Sequence, residues 1–172
     1  MRREGLNMCS DKHVDSLASS DSFMLSEKSI FLNVNLRTQD EVFDFIGRAA
    51  QSLGVTSNEK MLVKELKKRE EDLSTGLMDG FAIPHAKCDL VSCPTIIYIR
   101  AKEPVTWKMQ EGEGAQHFFT LLVPNKDAGK VHLEMISKIA VCLLEQKFRD
   151  EISHISNTHD MFLYLKQSLN ME

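Results

Sequence analysis

The sequence has no long hydrophobic run. Its longest uninterrupted apolar stretch, which ends at Leu144, falls far short of the roughly 20 residues that a membrane-spanning helix needs. The first 22 residues begin with Arg2 and Arg3, as a secretory signal peptide does, but no apolar stretch follows them. We therefore predict a cytoplasmic protein that does not itself span a membrane.

Cysteine is scarce, and neither sign of charge dominates. Four cysteines in 172 residues lack the dense spacing of a disulfide framework, so we expect free thiols. A zinc site at His85, Cys88 and Cys93 would need a second close pair of ligands, which the sequence lacks, and we predict neither a metal nor a cofactor. The net charge of -4 argues against broad binding to nucleic acid.

The rest of the composition is that of one globular domain. Hydrophobic residues make up 42% and charged residues 27% of the chain, and its length suits a single buried core. The beginning of the chain differs, because it is rich in serine and aspartate and poor in aliphatic side chains. We predict a flexible N-terminal tail over residues 1–24 and a folded domain over residues 25–172.

Hydrophobic periodicity predicts strands and helices in alternation. Strands are expected over residues 29–36, 81–83, 95–100, 105–107 and 118–123, several of them apolar throughout and so covered on both faces. Helices are expected from a capping box at Thr38 and Glu41 to about residue 53, and over about 58–71, 130–145 and 158–169. This pattern predicts an α/β fold, a three-layer sandwich with helices on both faces of a sheet.

Two of the six histidines stand out by their positions. His85 follows Pro84 at the exit of a short apolar strand, and His132 lies in the first turn of the helix that follows the strand ending at Val123. Side chains at such places converge at the ends of parallel strands, so the two imidazoles are expected to face each other. A histidine with a pKa of about 6.5 can accept and release a phosphoryl group at the pH of the cell.

A phosphohistidine also needs compensation of its negative charge. Arg69, at the end of the second helix, offers a fixed cation, and Thr75 offers a hydroxyl group. Gly76 and Gly80 permit the backbone conformations that direct N–H groups into a concavity. The alternative is that Arg69 is one solvated charge in a charged run, and that Thr75 and the glycines form an ordinary turn.

Three motifs follow one another in this part of the sequence: Arg69-Glu70, Ser74-Thr75-Gly76-Leu77 and Gly80-Phe81-Ala82-Ile83-Pro84-His85-Ala86-Lys87. Together they closely resemble the signature of the fructose/mannitol-type (type 2) enzyme IIA proteins of the bacterial phosphotransferase system (PTS). The resemblance runs from about residue 25 to residue 169 and includes His132. It implies the fold of the mannitol-specific enzyme IIA, a mixed central β-sheet with helices on both faces. His117 departs from the family pattern and is left unassigned.

The resemblance also implies a function. His85 would take a phosphoryl group from the phosphocarrier protein HPr and pass it to an enzyme IIB, with His132, Arg69 and Thr75 in the same site. The chain would thus be a phosphotransferase component for uptake of a fructose-type sugar, and would approach the membrane component IIC only through partners. Two alternatives stay open: a regulatory, nitrogen-related enzyme IIA phosphoprotein, and a non-catalytic regulatory module of the same fold. The sequence specifies neither the sugar nor the oligomeric state.

Overall fold

A computed structural model of the chain describes residues 23–171. A mixed five-stranded β-sheet forms its centre, so the prediction of a mixed sheet is confirmed. β1 pairs parallel to β4, β4 pairs antiparallel to β5, and β2 and β3 both pair parallel to β5, one after the other along the same edge. The strands are β1 (Ile30–Val34), β2 (Phe81–Ala82), β3 (His85–Lys87), β4 (Thr95–Val105) and β5 (Ala115–Val123).

Helices cover both faces of this sheet and complete the predicted three-layer sandwich. Two hydrophobic cores result, one beneath α1 and α2 and the other beneath α3, α4 and α5. Alternate residues of β4 pack into the two cores: Ile97 and Ile99 belong to the first, and Ile96 and Tyr98 belong to the second. The helices are α1 (Gln39–Ser52), α2 (Glu59–Asp72), α3 (Lys130–Leu144), α4 (Gln146–His154) and α5 (Thr158–Ser168).

α1 and α2 each begin directly after a short polar side chain that the sequence predicted as an N-cap. The Thr38 hydroxyl accepts a hydrogen bond from the Glu41 N–H at 3.1 Å, and the Asn58 side chain accepts one from the Met61 N–H at 3.1 Å. Each bond satisfies an amide that has no partner within its own helix. These caps explain why the starts of both helices could be placed closely.

The structure corrects three of the predicted elements. β4 continues to Val105, so there is no separate strand over residues 105–107, and β5 begins at Ala115 rather than at residue 118. α4 was not predicted, because only Phe148 and Ile152 are buried along it and its other residues are mostly polar. Its position depends on contacts that are distant in sequence, since Arg100 of β4 donates hydrogen bonds to the Ile152 and Ser153 carbonyls.

Phe23 and Met24, the first of the described residues, pack against the folded part of the chain. Phe23 is buried in the second core, and the Met24 N–H donates to the Pro94 carbonyl at 2.8 Å beside β4. Both had been assigned to the tail. Residues 1–22, which make up the rest of that tail, lie outside the described residues.

The cysteines agree with the prediction of free thiols only in part. Cys88 and Cys142 are free thiols, whereas Cys93 is disulfide-bonded and the prediction is wrong for it. Cys9 lies outside the described residues. Within residues 23–171, no helix is long and apolar enough to cross a membrane.

Candidate active site

His85 lies at the start of β3, on the sheet edge, with its ring orientation fixed by the backbone. Its Nδ1 is 2.8 Å from the Ile83 carbonyl oxygen. Because a carbonyl oxygen only accepts, Nδ1 carries the hydrogen and the neutral ring presents the Nε2 lone pair. The residue is only 8% exposed, but its Nε2 atom is not fully buried. This nitrogen makes no hydrogen bond within the described residues. His85 therefore offers one nucleophilic nitrogen of defined position.

His132 is brought to His85 by the chain that follows β5. β5 runs parallel to β3 and ends at Val123, after which a short 3-10 turn leads into α3. His132 lies in the first turn of α3, and its ring centroid is 5.3 Å from that of His85. Its Nε2 is buried and has no hydrogen-bond partner in the described part of the chain. The expectation that these two imidazoles face each other agrees with this geometry.

Both imidazoles are held in their neutral form. Burial is the main cause that lowers the pKa of His85, and the charges of Arg69 and Lys87 lower it further, while the carbonyl hydrogen bond and Glu70 oppose the shift. Burial, followed by Lys87, His85 and Arg69, lowers the pKa of His132 to about 4. At pH 7 the site therefore holds two uncharged rings close to two cations.

Arg69 occupies the last turn of α2 and is half-buried. Its Nη1 donates to the Leu73 carbonyl at 2.8 Å, which satisfies an acceptor at the end of the helix. Its charge acts on the pKa of both His85 and His132, so the guanidinium belongs to the same electrostatic site. Its position at the end of the second helix is the one predicted from the sequence.

Thr75 is also part of this region, but its hydroxyl is already engaged. Its Oγ1 donates to Glu70 Oε2 at 2.5 Å, and its N–H donates to Glu70 Oε1 at 3.0 Å. The Thr75 carbonyl in turn accepts from the Ile83 N–H at 3.0 Å. Thr75 therefore connects α2 to the segment that holds His85, and it does so through its backbone as well as through the hydroxyl that the sequence singles out.

Glycine is favoured at two positions of the motif for different structural reasons. A Cβ on Gly76 would lie 2.2 Å from the Lys108 carbonyl oxygen, because the segment passes directly against that backbone. Gly80 has a φ of +80° in the turn before β2, a conformation that glycine adopts at least cost. Both glycines thus shape the loop that leads to His85.

Exposed apolar side chains lie along the segments that form the site. Leu73 is 68% exposed after α2, Met78 is 37% exposed in the following turn, and Leu133 is 65% exposed next to His132. Phe81, in the same motif as His85, is 2% exposed and belongs to the core. The other three are exposed apolar side chains on segments that also carry residues of the site.

His117 has a structural setting away from this pair. It is buried on β5, where its Nδ1 lies 2.8 Å from the Tyr98 hydroxyl and its ring stacks on Phe81. Burial and the charge of Arg100 lower its pKa to about 4.

Among the residues that the structure describes, no group of three or more His, Cys, Asp or Glu side chains is arranged to hold a metal ion.

Two residues of the site were missed by the sequence reasoning. Glu70 was noticed only as part of a motif, although its carboxylate accepts both the N–H and the hydroxyl of Thr75. Lys87 was not assigned a role, although its charge acts on both histidines. The two-residue spacing from His85 to Lys87 was an available signal, since side chains at i and i+2 of a strand share a face.

The geometry thus defines an α/β domain with two adjacent, neutral imidazoles, and comparison with known proteins identifies its family. Residues 23–168 match the family model "Phosphoenolpyruvate-dependent sugar phosphotransferase system, EIIA 2". Because the match covers most of the chain, the protein belongs to this family of PTS enzyme IIA domains. Members of the family are phosphotransferase components, so a general role in phosphoryl transfer follows.

Curated relatives carry sugar-specific names. The chain is 28% identical over 146 residues to the fructose-specific EIIABC component of Bacillus subtilis (strain 168), with 80% of the chain aligned, and it spans only 23% of that protein. It is 29% identical to the fructose-specific EIIA component of Haloferax volcanii, covering 67% of the chain and 74% of the relative. The mannitol-specific enzyme IIA component of Staphylococcus aureus is 28% identical, covering 81% and 93% respectively.

Solved structures share the fold. The nitrogen regulatory protein IIA-Ntr from Neisseria meningitidis aligns with a TM-score of 0.77 and 27% identity over 84% of this chain and 96% of that one. IIA mannitol from Escherichia coli aligns with a TM-score of 0.70 and 20% identity, over 83% and 99%. This second likeness confirms the expected mannitol enzyme IIA-like fold.

Proposed function

We propose that this chain accepts a phosphoryl group from phosphorylated HPr on Nε2 of His85 and transfers it to an enzyme IIB for uptake of a fructose-type sugar. The observation that carries the proposal is the adjacency of two imidazoles, whose ring centroids are 5.3 Å apart. Nε2 of His85 keeps its lone pair because Nδ1 carries the hydrogen that bonds to the Ile83 carbonyl, and Nε2 of His132 is buried without a partner among the described residues. A phosphoryl group on His85 would supply the acceptor that His132 lacks.

The chemical step needs no metal or cofactor in this proposal. The Nε2 lone pair of His85 attacks the phosphorus of the donor phosphohistidine in line, and the phosphorus–nitrogen bond of the donor breaks as the new one forms. The electron pair of the broken bond returns to the HPr imidazole, and His85 keeps its Nδ1 hydrogen. Transfer to an enzyme IIB nucleophile repeats the exchange in the opposite direction. Positioning and electrostatics supply most of the catalysis in such transfers.

Three features of the site support stabilisation of the phosphoryl oxygens. Arg69 provides a half-buried cation, and His132 provides a ring nitrogen. The first turn of α3, which holds His132 and has no side-chain cap at Gly129, contributes the positive end of a helix dipole. Thr75 would act mainly through the backbone, because its hydroxyl donates to Glu70.

The partners and location follow from this role. HPr and an enzyme IIB are the proposed protein partners, and a complex of the mannitol enzymes IIA and IIB from Escherichia coli is known for a protein of the same fold. We propose a cytoplasmic location, with contact to a membrane component IIC only through these partners and without binding to nucleic acid. The proposed functional unit comprises residues 25–172 together with Phe23 and Met24, which pack against it.

A second candidate is regulation rather than transport. It is favoured by the likeness to the nitrogen regulatory protein, which has a TM-score of 0.77 and 27% identity. In that case His85 would still be phosphorylated, but the phosphoryl group would not pass efficiently to a sugar-specific enzyme IIB.

Radiolabelled phosphoenolpyruvate with enzyme I and HPr tests the first step. The wild-type chain is expected to acquire an acid-labile label and the His85→Ala variant none, while an unlabelled wild type would refute phosphotransfer. Adding a fructose-type enzyme IIB then tests the second step. Rapid loss of label to that protein supports transport, and retention of the label favours regulation.

A further inference from the structure

Glu70 is connected to His85 by a series of hydrogen bonds. Its carboxylate accepts the N–H and the hydroxyl of Thr75, the Thr75 carbonyl accepts the Ile83 N–H, and the Ile83 carbonyl accepts from Nδ1 of His85. We call Glu70, Thr75, Ile83 and His85 the relay. It joins the end of α2 to the imidazole. The backbones of Thr75 and Ile83 each form a hydrogen bond to the preceding member of the relay and another to the following member.

Further contacts restrict the geometry of the relay. Ser74 Oγ lies 2.7 Å from Glu70 Oε1 and 2.6 Å from the Lys108 carbonyl, so the turn is attached to both α2 and the segment after β4. Pro84, between Ile83 and His85, has a φ fixed by its ring. The position of the Ile83 carbonyl, and with it the ring tautomer of His85, therefore depends on how the turn at residues 74–76 is anchored.

We propose that Glu70 is a positioning residue for His85, which keeps the imidazole in the Nδ1–H tautomer and directs Nε2 outward. This role rests on the proposed function, in which Nε2 is the nucleophile. Glu70 need not touch the phosphoryl group, because it acts through Thr75 and Ile83. Without its carboxylate, the Thr75 N–H and hydroxyl lose their acceptor, and the turn that anchors the Ile83 N–H becomes free to shift.

Charge gives Glu70 a second effect that geometry alone would not produce. The charged side chains that act on the pKa of His85 are Arg69 and Glu70 from α2 and Lys87 from β3, and the neutral ring of His132 from α3 lies beside it. Of these, Glu70 is the one that raises the pKa of His85, against the lowering by burial and by the two cations. Removing the Glu70 charge should therefore move protonation of His85 to lower pH.

The test compares Glu70→Gln, which removes the charge, with Glu70→Asp, which keeps the charge but shortens the side chain. Glu71→Gln is the matched control, because Glu71 is the exposed neighbour on the same turn of α2. Initial rates of labelling by phosphorylated HPr are measured across the pH range. Nitrogen-15 NMR of the unphosphorylated proteins reports the His85 tautomer.

Glu70→Gln is expected to slow labelling about tenfold, to move the acid midpoint of the rate profile to lower pH and to reduce the Nδ1–H tautomer. Glu70→Asp should slow labelling with little change of midpoint, and also serves if Glu70→Gln does not fold. Glu71→Gln should match the wild type. Wild-type rate, midpoint and tautomer in both Glu70 variants would overturn the inference. If the wild type takes no label, the proposed function fails, but the tautomer measurement still decides the role of Glu70.

Discussion

At the scale of single residues, the proposed chemistry depends on two neutral imidazoles whose nitrogens are not equivalent. The Ile83 carbonyl binds Nδ1 of His85, so Nε2 is the proposed nucleophile. Nε2 of the neighbouring His132 has no hydrogen-bond partner among the described residues. In the proposed mechanism, His85 attacks and His132 stabilises the transferred group.

Substituting His132 separates these two roles. His132→Ala is expected to slow labelling of His85 roughly 100-fold, because one hydrogen bond to the developing charge is lost. The fold should persist, since the ring makes no hydrogen bond through Nε2 to the described residues. Stopped-flow labelling and circular dichroism measure the two properties. Equal rates for His132→Ala, wild type and an exposed control, His154→Ala, would remove His132 from the mechanism.

Buried histidines also make stability depend on pH. His117 and His132 have a pKa of about 4 in the folded chain, against an ordinary value of 6.5. Between these values the unfolded chain binds protons that the folded chain excludes, so the stability present above pH 6.5 is lost as the pH falls toward 4. The expected loss is up to about 1.4 kcal/mol per pH unit for each histidine.

Urea unfolding at pH 7 and pH 5 measures this loss. His117→Gln, which retains a partner for the Tyr98 hydroxyl, should show a smaller fall in unfolding free energy between the two pH values than the wild type. His154→Gln, at an exposed position of α4, is the control and should behave as the wild type. An unchanged pH dependence in His117→Gln would contradict the assignment of a buried, neutral His117.

At the scale of secondary-structure elements, local chemistry made some features predictable and long-range contacts hid others. Thr38 and Asn58 made the starts of α1 and α2 predictable, because each side chain accepts a hydrogen bond from the backbone N–H three residues later. α4 could not be predicted from periodicity, since it is held by Arg100 from a distant strand. The roles of Glu70 and of the Thr75 backbone were hidden for the same reason, as they arise from tertiary hydrogen bonds.

The close passage of the 74–80 loop over the segment after β4 gives a prediction at this scale. Gly76→Ala would place a Cβ 2.2 Å from the Lys108 carbonyl oxygen, so one backbone must move. We expect a loss of about 1–3 kcal/mol in unfolding free energy and slower labelling of His85, whose carbonyl partner is held by this loop.

Gly129→Ala is the control for Gly76→Ala in denaturant unfolding, because its Cβ would meet nothing within 4 Å. It should change the unfolding free energy far less than Gly76→Ala does. Comparable stability of the two variants would show that the loop does not pack as described.

At the scale of the whole molecule, the topology brings the two histidines together beside an exposed apolar residue. The parallel strands β3 and β5 place His85 next to the start of α3, where Leu133 follows His132 and is 65% exposed. The fold class was predictable because its alternating pattern of strands and helices is local. The exposed fraction of each apolar residue could be known only from the assembled fold.

Leu133→Asp tests this surface as a docking site. The variant is expected to raise the KM for phosphorylated HPr about tenfold with little change of kcat, because it alters a contact surface and not the reacting groups. Leu163→Asp, on α5 and also exposed, is the matched control and should leave KM unchanged. Equal KM values for the two variants would exclude Leu133 from the interface.

The most direct test of the central claim identifies the nitrogen that carries the phosphoryl group. The chain is labelled with nitrogen-15 at histidine, phosphorylated by enzyme I, HPr and phosphoenolpyruvate, and studied by phosphorus and nitrogen NMR at alkaline pH. The account predicts a single phosphohistidine, at Nε2 of His85, that is absent from His85→Ala. Phosphorylation at Nδ1, at another histidine, or at none would contradict it.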